Sequence, residues 1–424
     1  MIRIYTYGEI PNSEILARRD TAIHVEDVVA EIIAEVVRSG DEALYAYTKK
    51  FDGAELESLE VSEKEFEEAM AAVGEDFLAI LREAAENIRA YHSRQVREDY
   101  IMQGKDGVLL GMKFTPIEKV GLYVPNGTAP YPSTVLMDAM PAKIAGCREL
   151  VMVTPPAKDG SVDPGILAAA RVAGIDRVFK VGGAQAIAAL AYGTESIPAV
   201  YKIVGPGNAY VAEAKKQVFG RVAIDVVAGP SEVLVVADGS CKARVVAGDM
   251  LAQAEHDRLS TAVLITDSPA LAAAVQAEIE RQLAALPRQE IARASIENNG
   301  RIILVEDLEL AAELANEIAP EHLELCVEEP FAWLGKVKNA GSIFLGKNTP
   351  EALADYMAGP NHTLPTGGIA KFASPLSVDD FVKKSQFTFY TDRALSDIAD
   401  KIAVFARREA LEGHARSVLS RFEP

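Results

Sequence analysis

The middle of the chain carries VGLYV at 120–124, ELVMVT at 149–154, RVFKV at 177–181, VYKIV at 200–204 and RVAIDVV at 221–227. Between these β-branched runs lie alanine-rich stretches, which are helical candidates near 133–145, 165–174, 184–192 and 209–218. Alternation of strand and helix at this spacing predicts a parallel sheet covered by helices on both faces.

A second series of the same kind follows, made of EVLVVA, AVLIT, RIILV, LELCV and SIFL, with helical candidates near 242–256, 268–285 and 307–318. Residues from 21 to about 106 are predicted to be helical, because Ser62 and Glu65 form a capping box and 75–97 contains neither Pro nor Gly. The chain from Ser374 onward is again predicted to be helical, with no clear series of strands.

The sequence therefore predicts an α/β protein with two incomplete Rossmann-like parallel-sheet domains, an N-terminal helical region and a C-terminal helical tail. The expected division has an N-terminal arm, two α/β domains of which the first is discontinuous, and a tail. Its boundaries are 1–20 for the arm, 21–117 with 236–373 for the first α/β domain, 118–235 for the second α/β domain, and 374–424 for the tail.

Charge narrows the range of partners. Against 62 Asp and Glu, the 424 residues include 43 Lys and Arg, which gives a net charge of −19. Such a surface repels phosphate backbones and anionic lipid head groups, so we expect no nucleic-acid partner and no membrane partner. A nucleotide cofactor is still compatible with this charge, because it responds to the local field.

The cysteines and the N-terminus predict where the protein resides. Cys147, Cys241 and Cys326 are far apart in the sequence, which fits a reducing compartment, and their apolar neighbours predict buried packing. The N-terminus lacks the apolar core of a signal peptide, and no stretch approaches 18 consecutive apolar residues. We therefore expect a soluble cytoplasmic protein.

Two glycine-rich turns follow predicted strands. One contains Gly182 and Gly183, and the other is Gly-Pro-Gly-Asn at 205–208. Backbone amides at such a turn and the N-terminus of the following helix favour a phosphate group. Neither turn is G-x-G-x-x-G, so on this pattern alone an ordinary tight strand–helix turn explains them better than a phosphate site does.

The six histidines can each be weighed. His24 and His92 have no ligand pattern around them and are expected at the surface, and His362 lies in a turn. Gln253 and His256 are three residues apart, so they share one face of a helix at a spacing that suits metal ligation. On this spacing alone, a coincidental pair is a simpler explanation than a metal site, which would need further ligands.

Glu321 and His322 are adjacent in Ala-Pro-Glu-His, where Pro320 either opens a helix or precedes a strand. Adjacent side chains diverge, so the two are not expected to bind one metal, but they suit two proton-transfer roles in one pocket. Asp355, in a turn-rich segment, and His414, near the C-terminus, are the last two candidates. Without a functional role, Asp355 would be a helix cap and His414 a surface residue.

Longer motifs contain most of these candidate residues and relate them to one another. The chain resembles the histidinol dehydrogenase family from about residue 20 to 420. The resemblance is carried, in the family's order, by VGLYVPNGTAPYPSTVLM, VGGAQAIAALAYGTES, VGPGNAYVAEAKK, IDVVAGPSEVLVVAD, MLAQAEHD, APEHLEL, DYMAGPNHTLPTGG and SPLSVDDFVKKSQ. It implies a zinc enzyme that completes histidine biosynthesis by oxidising L-histidinol to L-histidine through L-histidinal, with NAD in both steps.

The resemblance also implies the roles of individual residues. The zinc ligands would be Gln253, His256, Asp355 and His414, and the substrate's imidazole and amino nitrogens would complete the coordination shell. The catalytic pair would be Glu321 and His322, with His322 as the base for the alcohol proton and Glu321 activating water. Cofactor contacts would come from Tyr123, Gln185 and Asn208. Substrate contacts would come from Ser231, Gln253, His256, His322, Asp355, Glu409 and His414.

The family is a homodimer in which the C-terminal tail completes the partner's site, so the resemblance implies that Glu409 and His414 act in the other subunit. Three alternatives stay open. One is a related zinc and NAD dehydrogenase that acts on another amino alcohol. The others are a zinc hydrolase in which Glu321 activates water without NAD, and a non-catalytic paralogue.

Overall fold

The computed structural model describes residues 1–9, 11–15, 24–126, 129–227 and 229–423. Two compact units make up the chain. The first comprises Met1–Gln95 and Glu118–Phe381, and the second comprises Val96–Ile117 and Val382–Pro424. No helix within the described ranges is long and apolar enough to cross a membrane.

The strands are, in chain order, β1 (Arg3–Thr6), β2 (Tyr100–Gln103), β3 (Leu109–Pro116), β4 (Lys119–Tyr123), β5 (Glu149–Thr154), β6 (Arg177–Lys180), β7 (Lys202–Val204), β8 (Ala223–Ile224), β9 (Glu232–Ala237), β10 (Thr261–Thr266), β11 (Arg301–Leu304), β12 (His322–Cys326), β13 (Ser342–Leu345) and β14 (Val382–Phe389). The helices are α1 (Asn12–Ile15), α2 (Glu26–Phe51), α3 (Glu63–His92), α4 (Pro132–Ala145), α5 (Pro164–Ala173), α6 (Gly183–Tyr192), α7 (Ala209–Val218), α8 (Ala243–Ala254), α9 (Pro269–Leu283), α10 (Gln289–Asn298), α11 (Leu308–Ile318), α12 (Pro330–Leu334), α13 (Glu351–Leu353), α14 (Asp392–Arg408) and α15 (Glu412–Leu419).

The first unit contains a five-stranded sheet in the order β6-β5-β4-β7-β8, with every pairing parallel. Its central strands are buried apolar runs, as expected for strands with helices on both faces. Helix α2 packs against α6 and α7, and α3 packs against α4 and α5. The two long N-terminal helices therefore cover the helices of this sheet.

The first unit also contains a six-stranded sheet in the order β1-β11-β10-β9-β12-β13, again wholly parallel. One apolar cluster joins the sheet to α8, α9 and α10, and a second joins it to α11. Burial of both faces explains the near-continuous apolar sequences of β9 and β10. The predicted α/β class with two parallel sheets is confirmed.

The second unit has a different construction. Strands β14, β3 and β2 form an antiparallel sheet, and α14 packs against α15. The sequence prediction was wrong here twice, because 100–103 is a strand within the stretch expected to be helical and 382–389 is a strand within the tail. All four residues of β2 are exposed and β14 is largely exposed, so neither strand has the alternating pattern that marks a half-buried strand.

The N-terminal helical region follows the prediction more closely. Ser62 caps α3 by accepting from the backbone N–H of Glu65, whose side chain accepts from the backbone N–H of Ser62, so the capping box is confirmed. Gly40, with φ +55, interrupts α2. Within the expected arm, residues 3–6 form β1 and pair with β11. Residues 10 and 16–20 of the arm, and residues 21–23 of the expected helical region, lie outside the described residues. The predicted domain boundaries stay a prediction.

Candidate active site

The pair Glu321 and His322 lies at the amino end of β12, which pairs in parallel with β9. The backbone of Glu232, the first residue of β9, contacts both side chains. Its N–H donates to Glu321 Oε2 over 2.9 Å, and its carbonyl oxygen lies 3.2 Å from His322 Nδ1. Of the two predictions for this segment, the strand is therefore right and the helix is wrong.

The two side chains do not diverge, since His322 Nδ1 lies 3.7 Å from Glu321 Oε2. Both are almost fully buried, and burial changes their protonation in opposite senses. Burial lowers the pKa of His322 to about 4. Burial, with the charges of Glu232 and Asp355, raises the pKa of Glu321 well above its usual value. A neutral imidazole therefore sits beside a carboxyl group that holds its proton unusually tightly.

A second group of polar side chains lies at the end of α8. Ligand atoms of His256, Asp355 and Glu351 lie within 4.8 Å of one another, and Gln253 beside them is fully buried. The predicted helical face is only partly regular, because Gln253 belongs to α8 and His256 follows its end. Three of the four predicted metal ligands are thus brought to one place by the first unit.

The donors at this place suit a divalent metal such as zinc. They are nitrogen and oxygen atoms without a thiolate, which is typical of an open rather than a structural zinc site. Burial lowers the pKa of His256, which keeps a ring lone pair available for a metal. Burial acts to raise the pKa of Asp355, but the neighbouring imidazole of His362, with Nδ1 3.6 Å from Asp355 Oδ1, outweighs it and the net pKa is lowered. Asp355 is therefore a carboxylate, as ligation requires.

The segment before β9 is tied to the loop that follows Asp355. Gly229 N–H donates to Thr366 Oγ1 over 2.6 Å, and Gly367 N–H donates to Glu232 Oε1 over 3.1 Å. Ser231, the predicted substrate contact, lies in the sequence between Gly229 and Glu232, the residues that these hydrogen bonds hold, and is half-buried. It directly precedes β9, whose backbone contacts Glu321 and His322.

The predicted cofactor residues lie at the carboxyl edge of the five-stranded sheet. The strand order reverses between β4 and β7, and ligands of open α/β sheets bind at such a switch point. Tyr123 ends β4, and its hydroxyl accepts from the N–H of Gly183 at the start of α6 over 3.1 Å. Gly205 follows β7 with φ +118, and a Cβ there would lie 2.1 Å from the Tyr123 carbonyl oxygen. Only glycine allows this approach of the two strand ends.

Gln185 and Asn208 flank the same edge but differ in exposure. Gln185 is buried in the first turn of α6, whereas Asn208 is exposed and caps α7. The Asn208 Oδ1 accepts from the N–H groups of Tyr210 and Val211. The amide donors at the start of α7 are thus partly used by the chain itself, while the side-chain NH₂ of Asn208 can face a ligand.

Glu409 and His414 belong to the second unit. Glu409 follows the end of α14, and His414 lies on α15. Both are exposed. Their roles in the site of a second subunit stay a prediction.

The remaining histidines and cysteines correct two expectations. His92, expected at the surface, is buried, and its Nδ1 lies 2.7 Å from Gln95 Oε1. Cys241 and Cys326, far apart in the sequence, meet where the Cys241 thiol donates to the Cys326 carbonyl oxygen. Cys147 and Cys326 are buried, as their apolar neighbours predict, and Cys241 is half-buried.

The geometry agrees with what comparison with known proteins finds. The model of the family described as histidinol dehydrogenase matches residues 16–422. The chain belongs to the histidinol dehydrogenase family. Histidinol dehydrogenase from Bacillus cereus is 54% identical over 415 residues, which cover 97% of this chain and 96% of that protein. Histidinol dehydrogenase from Bacillus subtilis is 52% identical over 393 residues, which cover 93% and 92%.

A solved structure has the same fold. The crystal structure of histidinol dehydrogenase from Elizabethkingia anophelis matches with a TM-score of 0.95 at 38% identity, covering 99% of this chain and 98% of that one. The fold assigned above to two parallel sheets and a separate small unit is therefore that of a histidinol dehydrogenase.

Two residues in this member of the histidinol dehydrogenase family lie at the candidate site without having been predicted there. Glu351 is buried beside Gln253, and His362 lies with Nδ1 3.6 Å from Asp355 Oδ1 and Nε2 3.3 Å from Thr134 Oγ1. His362 stands in the same motif as Asp355, which is a signal that could have found it. Nothing in the local sequence marks Glu351.

Proposed function

We propose that the chain oxidises L-histidinol to L-histidine through L-histidinal, in two NAD-dependent steps that complete histidine biosynthesis. Membership of the histidinol dehydrogenase family makes it an NAD-dependent dehydrogenase. The observation that carries the proposal for this chain is the buried pair of Glu321 and His322 beside the cluster of Gln253, His256 and Asp355. The proposed cellular location is the cytoplasm.

Zinc would be held by Gln253, His256 and Asp355, with His414 as the fourth protein ligand. When bound, it would position the substrate through its imidazole and amino nitrogens for oxidation at the neighbouring carbon. The protein's part is to keep His256 neutral and Asp355 ionised, which the pKa directions of both groups support.

His322 acts as the base of the first oxidation. Because its Nδ1–H donates to the Glu232 carbonyl oxygen, the lone pair lies on Nε2, where it can accept the proton of the substrate hydroxyl. Its lowered pKa keeps the ring neutral at physiological pH. As the O–H proton passes to Nε2, the C–H hydride leaves the carbinol carbon and the aldehyde forms.

Glu321 acts between the two oxidations. Its carboxylate takes a proton from water as the water oxygen bonds to the aldehyde carbon. The aldehyde oxygen takes up the proton that His322 gained in the first oxidation, which gives the hydrate. The raised pKa of Glu321 makes its ionised form a stronger base than an exposed glutamate. Oxidation of the hydrate, with loss of a second hydride and of two protons, one from each hydroxyl group, gives the carboxylate of histidine.

Tyr123, Gln185 and Asn208 are proposed to bind NAD at the switch point of the five-stranded sheet. NAD supplies the hydride acceptor in both oxidations. Two features of the chain support this assignment, namely the close approach of β4 and β7 and the start of α6, where Gly182 as N-cap offers no side-chain capping hydrogen bond.

Ser231 and Glu409 are proposed as further substrate contacts, and Glu409 would pair its negative charge with the substrate ammonium group. Glu409 and His414 would reach the site from the second subunit of a homodimer. Exposed apolar side chains on the second unit support an interface there, because a monomer rarely leaves such a surface open. They include Ile101, Met102, Val404 and Phe405.

Steady-state kinetics on a panel of amino alcohols tests the substrate assignment. We expect NADH formation from L-histidinol to exceed that from L-leucinol or L-phenylalaninol by at least about a thousandfold in kcat/KM, because only the imidazole can reach the metal. Absence of NADH formation from L-histidinol by the zinc-loaded protein would overturn the proposal.

A further inference from the structure

The carboxyl group of Glu351 is unusual among the acidic side chains of the candidate site, because none of the roles proposed above uses it. Glu351 is the first residue of α13 and is 2% exposed. Burial of a carboxyl group costs free energy unless other polar groups satisfy it. Its partners therefore indicate what the group is for.

The main partner is Gln253. The hydrogen-bond partners around the Gln253 amide assign its nitrogen to the side that faces Glu351. In that orientation the nitrogen lies 3.0 Å from Glu351 Oε1 and 3.2 Å from Oε2, and it donates to the carboxyl group. With the amide reversed, the Gln253 oxygen would face both oxygens of the Glu351 carboxyl group, which would be repulsive.

The position of Glu351 is itself fixed by the neighbouring strand. Its backbone N–H donates over 2.9 Å to Oε1 of Glu324, a buried residue in the middle of β12. His322 Nδ1 lies 3.9 Å from Glu351 Oε2. A group held by β12 on one side and by Gln253 on the other has little freedom to turn away.

The contact has a consequence for metal binding. A carboxamide binds a metal through its oxygen, because the nitrogen has no available lone pair. Since the nitrogen of Gln253 is occupied by Glu351, the oxygen is the atom left for a ligand. Neighbours that fix the orientation of metal ligands change metal affinity by about ten- to a hundredfold when removed.

We propose that Glu351 is a positioning residue that orients the Gln253 amide and so presents its oxygen to the metal. The inference rests on the proposed function, since it takes Gln253 as a zinc ligand. The rival interpretation is that Glu351 binds the metal directly, because its carboxylate also lies within 4.8 Å of ligand atoms of His256 and Asp355. The contact of both Glu351 oxygens with one nitrogen favours the positioning role.

Zinc affinity, measured by competition with a chromogenic chelator, tests the proposal without relying on activity. The proteins are wild type, Glu351→Ala, Gln253→Ala and the double variant. We expect Glu351→Ala to weaken zinc binding by about ten- to a hundredfold and the double variant to bind no more weakly than Gln253→Ala alone. Effects that multiply in the double variant would show direct ligation and overturn the proposal.

Glu351→Gln separates the two roles again. Its amide oxygen can still accept from Gln253, so we expect zinc affinity within about threefold of wild type, whereas exchange of a charged carboxylate ligand for a neutral amide would weaken zinc binding by about tenfold or more. This variant also keeps the proposal testable if Glu351→Ala does not fold. Glu309→Ala, which removes an exposed partner of Lys336, is the matched surface control.

The spectrum of the cobalt-substituted protein gives an independent readout. We expect Glu351→Ala to change the visible d–d bands in the same way as Gln253→Ala, and Glu351→Gln to leave them as in wild type. If wild type binds no zinc, the proposed function fails. If wild type binds zinc and Glu351→Ala binds it equally well, only the positioning role fails.

Discussion

The Nδ1 of His322 lies 3.2 Å from the backbone carbonyl oxygen of Glu232. The two residues belong to neighbouring parallel strands that are 90 residues apart in sequence. The contact fixes the tautomer of the imidazole and directs the free lone pair to Nε2. A backbone group cannot be removed by side-chain substitution, so the arrangement depends on the register of β9 and β12.

Replacing His322 tests the base of the first oxidation. We expect His322→Gln to slow formation of the aldehyde by about a hundred- to ten-thousandfold, because loss of a general base has this effect. Burial keeps the native ring neutral down to about pH 4, so NMR of ring-labelled histidine should show no protonation of His322 between pH 8 and pH 5. A midpoint near pH 6.5 would contradict the buried environment.

Glu321→Gln should affect the second oxidation more than the first. The substitution keeps the shape of the side chain but removes the carboxylate that activates water. We expect L-histidinal oxidation to slow by at least about a hundredfold, while L-histidinol oxidation slows much less. Separate assays with the alcohol and the aldehyde measure both, and equal losses would contradict the two assigned roles.

Mixing two inactive variants tests whether the tail acts in the other subunit. In a heterodimer of His322→Gln and His414→Ala, one site would combine an intact His322 with an intact His414. Random exchange of subunits should then restore about a quarter of the wild-type activity, because half of the dimers are mixed and each has one complete site. If the tail serves its own subunit, every site stays defective and no activity returns.

The pH dependence of stability should change in Asp138→Asn. Burial, together with the charge of Asp225, raises the pKa of Asp138 from 3.8 to about 7. A carboxyl group whose pKa is raised in the folded state favours folding only while it is protonated. The free energy of unfolding therefore falls as the pH rises from about 4 to 7, where the unfolded chain ionises before the folded one. The loss is about 4 kcal/mol at most, at 1.4 kcal/mol per pKa unit.

Asn cannot ionise, so the variant should gain stability relative to wild type between pH 4 and pH 7 and keep a constant difference above pH 7. Urea unfolding at four pH values measures this. Oδ2 of Asp138 has no hydrogen-bond partner, so an amide nitrogen in its place would lower the variant's stability equally at every pH and leave the gain between pH 4 and pH 7 unchanged. Asp76→Asn on the exposed face of α3 is the control, and a pH-independent difference at position 138 would contradict the raised pKa.

The two parallel sheets could be predicted from the sequence because burial of both faces leaves a strong local pattern. Runs such as ELVMVT, bounded by alanine-rich helices, have few other interpretations. The antiparallel sheet of the second unit could not be predicted in this way. Its strands are mostly exposed, so nothing selects their side chains for an alternating pattern.

Some residues of the candidate site were predicted from the sequence and others were missed. Glu321 and His322 were singled out from the residues and received their separate roles from the resemblance, but the residues alone left open whether they begin a helix or a strand. That choice depends on pairing with β9, which lies elsewhere in the sequence. Glu351 was missed because its burial arises only when α8 and β12 meet around it, and its local sequence, Thr-Pro-Glu-Ala-Leu, is that of an ordinary helix start.

The number of NADH molecules formed per L-histidinol consumed, measured with and without a chelator, tests the central claim most directly. Two equivalents of NADH, with activity lost on chelation and restored by zinc, are the predicted result. One equivalent would show that the reaction stops at the aldehyde, and activity unaffected by complete removal of metal would contradict the zinc site; either result would contradict the account.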